Sequence, residues 1–210
     1  MRSLVEKIEY KSRWFIRRFQ SERDWEDNKV YRPIDAREMF SAPQFTVMQG
    51  GFMGAVSDIG LVFGSLDPRM MWKQFVHLFK GNVLLNEGIN ELWTILASAS
   101  SGTKFDNTHA YIGVGDDSTA ADPVQTGLNP TVPGNELYVA MDGGYPTYGT
   151  NQKATWRSTF TSALGNYNWR EFTVANGNSG AAKNLNRKVS SQGTKASGQT
   201  WEITLDIVLS

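Results

Sequence analysis

Residues 201–210, WEITLDIVLS, alternate without a break. Trp201, Ile203, Leu205, Ile207 and Leu209 share one parity, and Glu202, Thr204, Asp206, Val208 and Ser210 share the other. Successive side chains of a strand point to opposite faces, so this pattern predicts a strand with one face in a core and the other mostly polar. An apolar face this complete needs a second layer to cover it, which places the strand at or near the centre of a sheet packed on another sheet.

Working outward, the same period recurs in KATWRSTF (153–160), in NWREFTV (168–174) and near the other end of the chain in IEYKSRWFIRRF (8–19), where so short a run also admits a helix. In the last of these, Tyr10, Ser12, Trp14, Ile16 and Arg18 alternate with Lys11, Arg13, Phe15, Arg17 and Phe19. The basic residues flanking that strand read as a solvated outer or edge face that discourages sheet-to-sheet aggregation, or as a contact for a negatively charged partner. Between strands, the chain from Ser98 onward is punctuated by turn chemistry: SASSGTKFDNT, GDDSTAADPVQTG, NPTVPGNE and the Asp142-Gly143-Gly144 and Tyr145-Pro146 steps. Tyr138, Tyr145 and Tyr148 near that last turn read as exposed aromatics.

One helix stands out. In KGNVLLNEGINELWTIL (80–96), Ile89, Leu92, Trp93, Ile95 and Leu96 are spaced for a single buried helical face from about Glu87 to Ala97, with Glu87 and Glu91 near a helix start that favours negative charge. Gly88 works against it by about 1 kcal/mol relative to alanine. The helix is expected to lie on, or plug the end of, the β core. A second helix is predicted over Pro68–Phe79, where Met71, Trp72, Phe75, Leu78 and Phe79 fit helical spacing and Pro68 suits a first turn. His77 falls within that pattern and reads as a structural histidine. SERDWEDNK (21–29) reads as a polar connection.

The predicted fold is therefore mainly β: an antiparallel sandwich, jelly-roll or immunoglobulin-like, with one packed helix and an insertion in the N-terminal half carrying a second. Residues 1–29 hold the first strand, 30–79 an insertion or arm, and 80–210 the main sandwich. Within the insertion, MFSAPQFTVMQGGFMGAVSDIGLVFGSL (39–66) is almost free of charge. Such a stretch packs on its own domain or on another subunit, since exposed apolar surface of this kind marks an interface. Its apolar residues Phe45, Val47, Met48, Phe52, Met53, Val56, Ile59, Leu61 and Phe63, with Arg13 and Arg17 on the first strand, are the candidate interface.

Composition narrows function further. The 210 residues carry 21 Lys and Arg against 21 Asp and Glu, with 20 Gly, 7 Trp, 7 Tyr and 11 Phe. A net charge of zero gives no field to draw nucleic acid or an anionic membrane, and neither is an expected partner. The absence of cysteine removes disulfides and thiolate ligands, and two histidines, His77 and His109, exclude a histidine-rich metal site within one chain. The opening MRSLVEKIEYKSRW lacks the apolar run of a secretory signal peptide. No phosphate-binding loop, dinucleotide fingerprint, zinc-peptidase helix or nucleophile elbow occurs. The pairs Glu87 with Glu91 and Asp116 with Asp117 suit a helix start and a turn. Asp116, Asp117, Ser118 and Asp122 offer oxygens of the kind calcium takes, but without the alternation and terminal glutamate of an EF-hand loop. No catalytic residue, cofactor or metal is expected.

The blocks GNVLLNEGINELWTIL, FDNTHAYIGVGDDSTA, MDGGYPT, ATWRSTF, NWREFTVANG, LNRKV and SQGTKASGQTWEITLDIVLS, in that order, resemble a set of structural proteins of tailed bacteriophages, and YKSRWFIRRF resembles the first strand of that set. The resemblance implies a non-enzymatic virion component assembled in the host cytoplasm. Its partners would be other virion proteins, foremost the major capsid protein, and it would form a homo-oligomer or symmetric array. The implied station is the head shell, as a cement or decoration protein; the alternative is a neck, tail or baseplate part. A carbohydrate-binding module for host attachment is a third reading, motivated by the three tyrosines. The segment from about Val30 to Leu78 departs from the shorter family pattern.

Overall fold

A computed structural model describes residues 10–19, 21–31, 74–98 and 102–209. They form ten strands and two helices in two five-stranded antiparallel sheets packed as a β-sandwich. The strands are β1 (Tyr10–Phe19), β2 (Gln74–Lys80), β3 (Val83–Leu84), β4 (Tyr111–Gly115), β5 (Glu136–Ala140), β6 (Thr147–Thr150), β7 (Lys153–Phe160), β8 (Asn168–Ala175), β9 (Asn186–Thr194) and β10 (Thr200–Leu209). The helices are α1 (Glu22–Tyr31) and α2 (Asn86–Ala97). The first sheet runs β2-β1-β10-β7-β6 and the second β3-β9-β8-β4-β5.

β10 is the centre of the first sheet, as its alternation requires, flanked antiparallel by β1 and β7. Its inward side chains Trp201, Ile203, Leu205 and Ile207 are buried, and they join Trp14 and Ile16 of β1, Trp156 and Phe160 of β7, and Ile112, Val114, Trp169, Phe172 and Val174 of the second sheet in one core. Aromatic edges set its geometry. Trp169 meets Phe160 at 4.8 Å and Trp201 at 4.7 Å between ring centroids, both edge-on, an arrangement that aligns the positive ring rim with the negative face. The indole N–H of Trp169 donates to the Gly165 carbonyl and that of Trp156 to the Phe105 carbonyl, at 2.7 and 3.0 Å, so neither large ring is buried with its donor unmet.

Two elements differ from the sequence reading. Residues 74–80 are strand β2, paired with β1 from Phe19↔Gln74 to Arg13↔Lys80, and not the end of a helix over Pro68–Phe79. Phe75, His77 and Phe79 also sit at a period of two, and over seven residues the two periods are not separable; an open edge on β1 decides for the strand. His77 consequently stands on β2 opposite Ile16. With β2 outside it, β1 is no edge strand, and its basic residues do not guard one.

The second difference is α1, formed by residues read as a polar connection. It has no apolar stripe to betray it, only local signals: Ser21 Oγ accepts from the Asp24 N–H at 3.2 Å, and Glu22 and Asp24 lie in the first turn. The insertion drawn at 30–79 otherwise lies, for residues 32–73, outside the described residues.

α2 is where it was expected, but a different face is buried. Leu92 and Ile95 pack on the core, whereas Trp93 is 62% and Leu96 75% exposed. The buried helical residue is Gly88, whose backbone lies against β9's approach: a Cβ there would come closer than 3.0 Å to Leu185 Cα and to the Asn184 and Leu185 carbonyl oxygens. Glu87, at the helix start, accepts from the Asn184 N–H at 2.8 Å.

The β6–β7 hairpin closes with Asn151 and Gln152 between the paired Thr150 and Lys153, at φ of 54° and 51°. Left-handed backbone at both loop positions belongs to the type I′ turn, which favours Asn followed by Gly. The Gln152 carbonyl also accepts from the Leu209 N–H at 3.1 Å, so the turn holds the end of β10. Gln152→Gly removes a left-handed penalty that outweighs the added chain entropy, and stability is expected to rise by about 0.5 kcal/mol. A higher urea midpoint at unchanged slope is the result to look for.

Candidate functional site

The charged outer face of the first sheet is the place where the sequence put Arg13 and Arg17. Alternation sends Arg17 outward on β1, directly across from Glu202 of β10, and the guanidinium pairs with that carboxylate, its Nε at 2.8 Å. Across β10, Arg157 of β7 lies 3.9 Å from Glu202 and 2.9 Å from Asp142, whose Oδ2 also accepts from Thr159 Oγ1. Burial raises the Asp142 carboxyl above its ordinary value despite the Thr159 hydrogen bond and the Arg157 charge. One register step away, Asp206 takes Thr155 Oγ1 at 2.6 Å and lies 3.6 Å from Lys153. Arg17 is thus neutralised within the sheet. Arg13 is exposed, in register with Asp206 on one side and Lys80 on the other.

The outer face of the second sheet is covered by its own loops. On β4, YIGVG, the glycine at 113 leaves room for the Tyr138 ring and that at 115 for the Glu171 carboxyl; a Cβ at either would come closer than 3.0 Å to these side chains. Glu171 of β8 and Arg187 of β9 are both fully buried, with Arg187 Nη2 2.7 Å from Glu171 Oε2 and 2.8 Å from Asp117 Oδ2. Arg187 Nη1 donates to the Thr119 carbonyl and to Gln125 Oε1, each at 3.0 Å, and Glu171 accepts from the Asn129 N–H at 3.0 Å. Asp116 takes the Thr131 N–H at 2.6 Å and Asn135 Nδ2 at 2.7 Å.

Burial resists ionisation of Asp117, but hydrogen bonds from Thr119 and Asn129 and the Arg187 charge outweigh it and hold the carboxyl below its ordinary value. For Glu171, burial wins and the value is raised, with Arg187 recovering only part. The cluster is a sealed clasp between loop 116–135 and the sheet. Asp116 and Asp117 are engaged by protein donors, and among the described residues no group of three or more His, Cys, Asp or Glu is disposed to hold a metal.

The three tyrosines do not form one surface. Tyr138 is buried beside Leu128 and Ala175, which corrects its reading as exposed; Tyr145 is half-buried, with the Arg157 guanidinium 4.2 Å over its ring; Tyr148, on β6, is 78% exposed. The apolar candidates Phe45, Val47, Met48, Phe52, Met53, Val56, Ile59, Leu61 and Phe63 lie outside the described residues. Glu171, Arg187 and the pair Gly113 and Gly115 were not singled out from sequence. The only signal was the spacing of two glycines within a strand, which marks a close approach of another group.

Lys195 adds a buried cation at one end of the sandwich. Its Nζ donates to the Thr161 carbonyl and to Asn166 Oδ1, each at 2.8 Å, and burial lowers its pKa from 10.5 to about 8, with Glu22 opposing. Between those values the unfolded chain holds a proton that the folded chain has released, so stability rises with pH across that window. No thiol titrates there, because the chain has no cysteine. Urea midpoints followed from pH 8 toward pH 10 should rise in the parent protein and be flat by comparison in Lys195→Met. Parallel profiles would show that Lys195 does not titrate in this range.

No known protein family, no characterised protein and no solved structure matches the chain. Among the described residues no helix is long and apolar enough to cross a membrane.

Proposed function

We propose that this protein is a non-enzymatic structural component of a tailed-bacteriophage particle. It binds the head shell as a cement or decoration protein, with the apolar stretch around Phe45–Phe63 as its main contact. The observation that carries the non-enzymatic part is the fate of the ionisable groups. Glu171 and Arg187, both without solvent exposure, are spent on each other, and Arg17, Arg157, Glu202 and Asp142 are linked by ion pairs across the first sheet. The assignment to a phage particle rests on the ordered blocks of sequence resemblance, and the contact on the uncharged composition of residues 39–66. Display in many copies on a symmetric shell suits such a protein, because weak contacts that must break together hold strongly.

Deletion of residues 44–64 is expected to leave the sandwich folded, by its circular dichroism and thermal transition, and to abolish incorporation into particles. Normal incorporation of the deletion variant would overturn the contact. Copy number on intact particles tests the station: hundreds of copies over the head support a shell protein, and a few at one vertex or along the tail replace it with a neck, tail or baseplate part.

A further inference from the structure

Arg17 and Arg18 are neighbours on β1, and strand alternation sends them to opposite faces. Arg17 finds Glu202. Arg18 points inward with Ser12, Trp14 and Ile16, across from Trp201, and among the described residues it has no carboxylate partner. Its guanidinium carbon lies 4.5 Å from the centre of the Trp201 ring, and Nη2 donates to the Gln192 backbone carbonyl at 2.7 Å and to Gln192 Oε1 at 3.0 Å. Gln192 is itself oriented by its Nε2, which donates to Ser190 Oγ. The guanidinium plane is thus fixed on two sides before anything binds it.

What it lacks is an acceptor. Arg18 Nε and Trp201 Nε1 are both buried N–H groups without a partner, and Trp201 is only 3% exposed. A buried cation with no counter-charge among the described residues, and an unmet donor on each of two stacked side chains, is an unfavourable arrangement unless an acceptor arrives. Burial also lowers the Arg18 pKa with no neighbouring charge to offset it. The carboxylates closest along the chain are engaged elsewhere: Glu202 serves Arg17 and Arg157 on the other face, and Glu22 accepts from Thr200 Oγ1 at 3.1 Å.

Arg18 as a whole is partly exposed, and among the described residues β3 pairs with β9 only at Asn186 and Arg187, so residues 188–194 have no strand partner on that side. We propose that Arg18, held on Trp201 and Gln192, is a binding site for a single carboxylate group, supplied by an acidic side chain of a neighbouring protein or by a free small acid. A singly charged planar group matches one guanidinium with donors to spare, whereas a doubly charged phosphate would need more cations at the contact. The site stands whether or not the protein belongs to a phage particle.

The test follows the Trp201 indole and Arg18 Nε–H signals of the full-length 15N-labelled protein by NMR. Sodium acetate is titrated against sodium chloride at equal ionic strength, and a blocked tri-glutamate peptide is titrated in parallel. Acetate is expected to give a saturable shift of both signals that chloride does not. Arg18→Gln is expected to weaken the response by about tenfold or more, the loss typical of a hydrogen bond to a charged group. A peptide binding well above acetate identifies a protein side chain as the source; equal binding identifies a free acid. Should Arg18→Gln not fold, Trp201→Phe keeps the ring, removes the second donor, and is expected to weaken acetate binding in the remaining Arg18 signal. Equal responses to acetate and chloride, or acetate binding undiminished in both variants, would overturn the site.

Discussion

Arg187→Ala is expected to destabilise the protein by about 3–5 kcal/mol, because it leaves Glu171 and Asp117 with no counter-charge in a buried site. Arg187 and Glu171 have no solvent exposure, so water cannot take over the lost partner without opening loop 116–135. That loss is a large part of the roughly 5–15 kcal/mol typical of a folded domain. A urea melt of the variant reads it directly. Replacing the group as a whole gives a different outcome. Arg187→Met with Glu171→Leu and Asp117→Leu removes the charges together, and recovery of much of the lost stability is expected, since apolar replacements of buried ion pairs are often neutral or better. A single Arg187→Ala variant as stable as the parent would mean that the clasp contributes nothing.

Gly88→Ala runs against helix propensity. In an exposed helix this change would add about 1 kcal/mol of stability. Here the new methyl would fall closer than 3.0 Å to backbone atoms of Asn184 and Leu185, and backbone cannot rotate away as a side chain can. The helix must lift, loosening the Glu87 contact to the Asn184 N–H and the packing of Leu92 and Ile95 on the core. A net loss of about 2 kcal/mol is expected after the propensity gain is subtracted. Alanine at the exposed position 90, as a control, should be neutral or mildly stabilising. If Gly88→Ala stabilises the protein, α2 is not seated through its glycine.

Neither residue's role is written in its local sequence. Gly88 argued against the helix when only propensity was weighed, yet it is the residue that lets α2 reach the second sheet. Trp93 and Leu96 looked buried because five apolar residues share a broad helical stripe, but a helix docked through a glycine turns a narrower face inward. The Arg187 clasp joins residues 16 and 70 positions apart, a pairing that no local pattern announces. Tyr138 differs from expectation for the same reason: the turn beside it suggests exposure, and packing with Leu128 and Ala175 buries it.

Strand period, turn chemistry and the helix start are local properties, repeated within a few residues. A mainly β sandwich, a place for β10 at or near the centre of a sheet and the existence of α2 are therefore legible in local pattern. The tertiary structure alone decided which face of α2 is covered and that residues 74–80 complete a sheet. It also decided that Arg17 meets a carboxylate while Arg18, among the described residues, does not. Each of those depends on what stands across a sheet or under a helix, and burial and pairing energies act between residues far apart in the chain.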